Sequence, residues 1–303
     1  MSIIERVAEL LGPIAPRNPK YRPLSGADAA AHAGLVERAA AQGNERFKGP
    51  EIRPTRPART TARTLNIDLD RLRSQSILTP DAVRTPVAEG FRRIKRRILA
   101  NLANPKAAAP TNLVMVTSAL PGEGKTFCAT NLAISIALEM DRTVLLVDAD
   151  VAKPSIPQAL GLEAEQGLMD VLLDPRIDLA DVLWKTTIDK LMLLPAGTTH
   201  QHATELLASE AMAMLLQEMA ARYRDRVIVF DSPPLLAASE ASALAHHMGQ
   251  IVMVVEAGRT TERALKDAVA RIESSNVVGI VLNKGPGAGL GYSGGYGYGY
   301  GSG

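Results

Sequence analysis

The run SALPGEGKTFCATNLA holds two glycines one residue apart, followed directly by a lysine and a hydroxyl. Gly122 and Gly124 allow backbone N–H groups to turn inward around an anion. Lys125 can then reach the β- and γ-phosphates of a nucleotide, and the Thr126 hydroxyl can hold Mg²⁺. The spacing fits the phosphate-loop pattern G-x-x-x-x-G-K-[ST], except that Ala119 stands at its first glycine. A chance GKT is common. This one lies between the apolar run NLVMVTS and the amphipathic run KTFCATNLAISIALEM, the setting in which a helix N-terminus meets phosphate. The nucleotide-binding set read from the loop is Pro121, Gly122, Glu123, Gly124, Lys125, Thr126 and Phe127.

Carboxylates follow two other apolar runs. LLVDADVAKP carries Asp148 and Asp150, and VIVFDSPPLL carries Asp231 ahead of Pro233 and Pro234. One such Asp is an ordinary helix cap or solvated turn. Paired acids leaving a buried strand near a phosphate loop suit Mg²⁺ coordination and proton acceptance from an attacking hydroxyl. The expected metal set is Thr126, Asp148 and Asp231, and the expected catalytic set is Lys125, Asp148 and Asp150, with either aspartate of the pair able to act as base. ATP and Mg²⁺ are the implied cofactors. Asn283, beside Lys284 after the last apolar run, can reach an adenine edge or can simply end a strand.

Such residues need strands to deliver them. NLVMVTS, TVLLVDAD, KLMLLPAG, RVIVFDSPP, QIVMVVEAG and NVVGIVLNKG are short, β-branched and almost continuously apolar, as in strands covered on both faces. Helical stretches separate them, including ATELLASEAMAMLLQEMAARY and TERALKDAVARIESS. The alternation predicts an α/β domain, a doubly wound and mostly parallel sheet of the P-loop NTPase kind, with ligands at the carboxyl ends of the strands.

Charge divides the chain. Through Lys106 there are 20 Lys+Arg against 10 Asp+Glu, and 14 against 22 thereafter. Residues 13–64 are rich in Pro, Arg, Ala and Thr and predict a largely flexible basic arm, with a short helix around Ala27–Ala41. Ile3, Ile4, Val7, Leu10 and Leu11 share one face of an amphipathic helix, suited to a partner, a membrane surface or the chain's own domain. Arg53, Arg56, Arg59 and Arg63 could touch nucleic acid or anionic lipid, but such runs are more often solvated linker, and no nucleic-acid partner is expected. No apolar run nears the roughly 18–20 residues of a membrane span, and the acidic start MSIIERVAELLG predicts no secretory signal. Cys128 reads as a buried packing residue. The domains expected are an arm and linker over 1–85, a nucleotide-binding domain over 86–285, and a Gly/Tyr-rich tail over 286–303.

That tail, GLGYSGGYGYGYGSG, holds four of the six tyrosines where dense glycine opposes burial. Together with PGEGKT, VLLVDADVAKP and VIVFDSPP, it resembles the bacterial tyrosine kinases of exopolysaccharide synthesis, from about Pro86 onward. LLPAG…TELLAS and VVEAGRTTERAL are similar to family segments too. The resemblance implies an ATP-dependent protein-tyrosine autokinase whose acceptors are Tyr292, Tyr296, Tyr298 and Tyr300, phosphorylated between neighbouring subunits. PVAEGFRRIKRRILANL resembles the family's ExxRxxR oligomerisation helix, which implies Glu89, Arg92 and, conservatively changed, Lys95 as contacts in a homo-oligomer; a solvated basic helix is the plainer reading. Ala152 and Lys153 depart from the family's DxDxR, which leaves the role of that arginine open here.

The resemblance further implies protein tyrosine substrates and a separate membrane-bound chain-length regulator as activator, hence a cytoplasmic location at the inner face of the cell membrane. Accumulated phosphates, each about −1.5 to −2 charges at neutral pH, are expected to weaken the assembly. A rival reading is a partitioning-type ATPase switch that positions cargo. Its relatives carry a signature lysine where this chain has Leu120.

Overall fold

A computed structural model describes residues 64–81, 85–102, 109–162, 166–272 and 277–285. The N-terminal helix, the arginine run at 53–63 and the tail tyrosines all lie outside the described residues.

One eight-stranded sheet runs β1(Thr64–Leu65), β4(Trp184–Thr186), β5(Leu191–Leu194), β3(Thr143–Asp148), β6(Arg226–Asp231), β2(Leu113–Ser118), β7(Gln250–Glu256) and β8(Val277–Asn283), in that spatial order. Every neighbouring pair is parallel except β4 with β5. The predicted doubly wound, mostly parallel sheet is therefore present. The six expected strands are joined by β1 and β4, whose two and three residues are too short to show a period. All six residues of β2 are buried, as continuous apolar runs require when helices cover both faces.

Local signals set where the helices start and stop. α2(Pro86–Asn101) starts at Thr85, whose hydroxyl accepts from Ala88 N at 3.1 Å, with Pro86 in the first turn. It buries Ala88, Phe91, Lys95 and Ile98, one face at three- and four-residue spacing. α3(Lys125–Ala137) is buried along almost its whole length and sets Phe127 edge-on to Phe91, ring centroids 6.2 Å apart. The stretch read as one helix from Ala203 is two, α7(Ala203–Leu207) and α8(Glu210–Arg222). Ser209 breaks it by capping the second helix, its hydroxyl accepting from Met212 N.

The packed unit also starts earlier in the chain than residue 86. α1(Leu69–Ser74) is capped by Asp68, which accepts from Asp70 N and Arg71 N, and it buries Leu72 completely. Leu78 N donates to Asn131 Oδ1 of α3 at 2.8 Å, and Ile67 N to Thr187 Oγ1 at 3.0 Å. Ile67, Leu72, Ile77 and Leu78 join the central apolar cluster. The sparse apolar residues of 64–81 thus pack at the β1 edge of the sheet, where sequence composition alone reads linker.

The remaining helices, α4(Ile156–Leu160), α5(Leu168–Leu173), α6(Leu179–Val182), α9(Ser239–Ala245) and α10(Glu262–Ala270), complete the crossovers. Among the described residues no helix is long and apolar enough to cross a membrane.

Candidate active site

The phosphate loop spans the end of β2 and the start of α3. Gly122 and Gly124 adopt φ values of +83° and +96°, the left-handed region in which a side chain is strained. A Cβ on Gly124 would lie 2.0 Å from Asn283 Nδ2, so both conformation and space require glycine there. Lys125 is the first residue of α3 and Thr126 the next, which places both beside the positive end of a buried helix.

The acids arrive on adjacent strands. β3 and β6 pair in register so that Asp148 lies directly opposite Asp231, and Ala149 N donates to Asp231 O at 2.8 Å. Thr126 Oγ1 donates to Asp231 Oδ2 at 2.6 Å and is 2.8 Å from Ser155 Oγ. Ser155 N and Ile156 N, where the chain enters α4, both donate to Asp148 Oδ2 at 3.0 Å. Lys125 Nζ is 3.7 Å from Asp150 Oδ2. Lys125, Thr126, Asp148, Asp150 and Asp231 therefore form one cluster at the carboxyl ends of three central strands.

Burial controls its electrostatics. Asp148 and Asp231 are fully buried. Loss of hydration raises the Asp148 carboxyl to about 7, against the two backbone N–H bonds that favour its anion. The same loss, reinforced by the Asp148 charge, raises Asp231 to about 8, while the Thr126 hydroxyl opposes it. Asp150 is also raised by burial, with the Lys125 charge acting in the opposite direction. Cys128 is pushed up to about 12 by burial and packs as an inert thiol.

The donor set fits a magnesium ion carried in with a nucleotide. Asp148 Oδ1 and Asp231 Oδ1 are buried without a hydrogen-bond partner, so each adjacent carboxylate keeps one oxygen for a ligand outside the protein. Among the described residues no group of three or more His, Cys, Asp or Glu converges as a complete metal cage. Mg²⁺ does not require one, since it retains waters and takes phosphate oxygens alongside one or two carboxylates.

Two residues of the expected nucleotide set have other work inside the protein. Glu123 is fully buried; its Oε2 accepts from Leu120 N at 2.7 Å, and its Oε1 accepts from the Thr260 hydroxyl. It braces the loop from behind instead of facing a phosphate. Asn283 Nδ2 donates to Glu123 O at 2.9 Å, and Lys284 Nζ donates to Gly122 O at 2.8 Å. Lys284 also pairs with Glu256 at 3.2 Å, as does Arg259 at 3.0 Å. The ends of β7 and β8 thus hold the loop's carbonyls outward, which leaves its N–H groups for an anion. Lys95 departs from the expected oligomer contact, being buried: Nζ donates to Ser135 O at 3.0 Å and pairs with Glu139 of the turn after α3. Its short motif spacing says nothing of which helix face meets α3. Glu89 and Arg92 pair with each other at 2.8 Å on the outer side of α2.

Sequence reading missed Ser155, Glu256 and Thr260 as parts of the site's frame, and paired Lys284 with Asn283 at an adenine edge where it instead donates to Gly122 O. Ser155 carried one usable signal, its place just before an Ile-Pro helix start. The others are distant in sequence, and only strand pairing brings them to the loop.

The sequence profile described as an AAA domain matches residues 112–276. The chain is 35% identical over 219 residues to the succinoglycan biosynthesis transport protein ExoP of Rhizobium meliloti (strain 1021), covering 69% of this chain and 26% of ExoP. It is 34% identical over 191 residues to the tyrosine-protein kinase YwqD of Bacillus subtilis (strain 168), covering 62% of this chain and 78% of YwqD. The chain therefore spans about a quarter of the first relative and most of the second. Among solved structures, the kinase domain of the Escherichia coli tyrosine kinase ETK superposes with a TM-score of 0.59 at 25% identity, over 78% of this chain and 94% of that one. With the loop and acids arranged as described, these likenesses make the chain a member of the bacterial tyrosine kinase family of polysaccharide biosynthesis.

Proposed function

We propose that the chain is an ATP-dependent protein-tyrosine autokinase that phosphorylates the tail tyrosines of a neighbouring copy and so regulates exopolysaccharide synthesis or export. One observation carries the reading: Lys125, Thr126, Asp148 and Asp231 gather around two carboxylate oxygens that lack any protein donor. The family membership supplies the reaction type, and the tail supplies four phenols, three of them (Tyr296, Tyr298 and Tyr300) with glycine on either side and Tyr292 between Gly291 and Ser293.

In this mechanism the loop N–H groups and the N-terminus of α3 bind the triphosphate, and Lys125 neutralises charge on its outer phosphates. Thr126, Asp148 and Asp231 would hold Mg²⁺, which when bound would withdraw charge from the phosphate oxygens. Asp150, held near Lys125 and less buried than the other two acids, is placed to accept or steer the phenolic proton of an entering tyrosine. The glycine-spaced tail gives each phenol the reach to enter in turn. Catalysis in such a site comes from positioning and charge, with no covalent intermediate on the chain. A homo-oligomer brings tail and site together, and a separate membrane-bound regulator accounts for control at the cell membrane.

The test is incubation with labelled ATP and Mg²⁺, followed by mass spectrometry of the tail. Phosphate is expected on Tyr292, Tyr296, Tyr298 and Tyr300 in the native chain, and at least about 100-fold less in Lys125→Met. ATP hydrolysis without labelled protein would overturn the reading and favour the nucleotide-switched positioning ATPase.

A further inference from the structure

The phosphate loop ends where α3 begins, and the amides of Lys125, Thr126 and Phe127 in that first turn have no intrahelical acceptor. They are the donors that a nucleotide phosphate meets, so the placement of this turn decides how well an anion is held. The next amide, Cys128 N, already donates to Gly124 O at 2.9 Å. Two side chains of the turn serve the site directly, Lys125 beside Asp150 and Thr126 on Asp231. The third, Phe127, is half-buried and packs against the central apolar cluster.

The Phe127 ring meets Phe91 of α2, centroids 6.2 Å apart and planes inclined at 60°. This is the edge-to-face arrangement that the aromatic quadrupole favours. It is directional, so sliding or turning Phe127 loses the edge contact, to which an aliphatic neighbour would be indifferent. Phe91 is itself held firmly, buried on one face of α2 with Ala88, Lys95 and Ile98. Further along α3 the ties are hydrogen bonds. Asn131 Nδ2 donates to Phe127 O at 2.8 Å, while Asn131 Oδ1 accepts from Leu78 N at 2.8 Å. Lys95 secures the far end through Ser135 O and Glu139. The later turns of α3 are thus hydrogen-bonded to their surroundings, and the first turn is tied to α2 through a ring pair.

We propose that Phe91 is a positioning residue for the nucleotide: acting through Phe127, it sets the first turn of α3 so that the free amides, Lys125 and Thr126 converge on the phosphates. The proposal rests on the nucleotide site argued above and is independent of the tail and its tyrosines. It gives α2 a part in nucleotide binding beside the subunit contacts expected of Glu89 and Arg92, which lie on its outer side.

The test is equilibrium binding of Mg²⁺–ADP to the full-length chain, with the melting temperature read alongside. Phe91→Leu keeps an apolar side chain in the same space and removes the ring edge. It is expected to weaken ADP binding about fivefold. Phe127→Leu is expected to do the same, and the double variant to lose no more than either alone, because both remove one contact. Ile98→Val trims the same face of α2 about two turns beyond Phe91 and controls for looser packing. It is expected to lower the melting temperature while leaving ADP affinity unchanged. Phe91→Met, which also fills the space, replaces Phe91→Leu with the same expectation if that variant does not melt cooperatively. Native affinity in the Phe91 variant, losses that multiply in the double variant, or an equal loss in Ile98→Val would overturn the proposal. A native chain that binds no ADP would instead remove the nucleotide site itself, and the proposal with it.

Discussion

At the residue scale the most consequential pair is Asp148 and Asp231. In the folded, metal-free chain they retain protons up to about pH 7 and about pH 8, because burial disfavours their anions. Ordinary carboxyls in the unfolded chain lose theirs near pH 4. The folded state therefore binds more protons between those limits, and the stability contributed by the pair is complete below about pH 4 and is lost as pH rises through the folded values. A divalent cation replaces the missing protons. Saturating Mg²⁺–ADP should thus raise the melting temperature more at pH 8 than at pH 6, read by differential scanning fluorimetry. An equal rise at both would mean that these carboxylates do not meet the cation.

At the scale of elements, the phosphate loop depends on two strands that contribute nothing to its motif. β7 and β8 end in Glu256, Asn283 and Lys284, and these fix Gly122 O and Glu123 O from outside. Lys284→Met removes the donor to Gly122 O, leaving that peptide freer to rotate its N–H away from the phosphates. The half-saturating ATP concentration is expected to rise about tenfold, a loss of one charge-assisted hydrogen bond of about 1.5 kcal/mol. Lys284→Arg should restore part of it. Unchanged ATP affinity in Lys284→Met, measured by equilibrium binding, would show that the clamp is not needed to shape the loop.

For the whole molecule, the question is whether donor and acceptor are one chain or two. A chain truncated after residue 285 keeps the loop, the acids and the clamp but has no acceptor tyrosines. Lys125→Met keeps the tail but loses phosphoryl transfer. Mixed together with labelled ATP, they should place label on the Lys125→Met chain, while each alone stays unlabelled. No label in the mixture, with the native chain active, would mean that each active site serves only its own tail. The inward-facing Lys95 bears on the same question, since it ties α2 to α3 within one chain and leaves Glu89 and Arg92 as the expected subunit contacts.

The sequence by itself determined the parallel sheet, the loop and the three acids. Continuous apolar runs, glycines ahead of Lys125 and carboxylates at strand ends are local patterns with local causes. It also showed four of the chain's six tyrosines gathered in a glycine-rich tail. Only the tertiary structure decided that Asp148 faces Asp231, that Glu123 and Asn283 brace the loop, that Lys95 turns inward, and that residues 64–81 join the sheet. Each depends on strand order or on which helix face meets a neighbour, and those follow from packing among residues up to 160 positions apart.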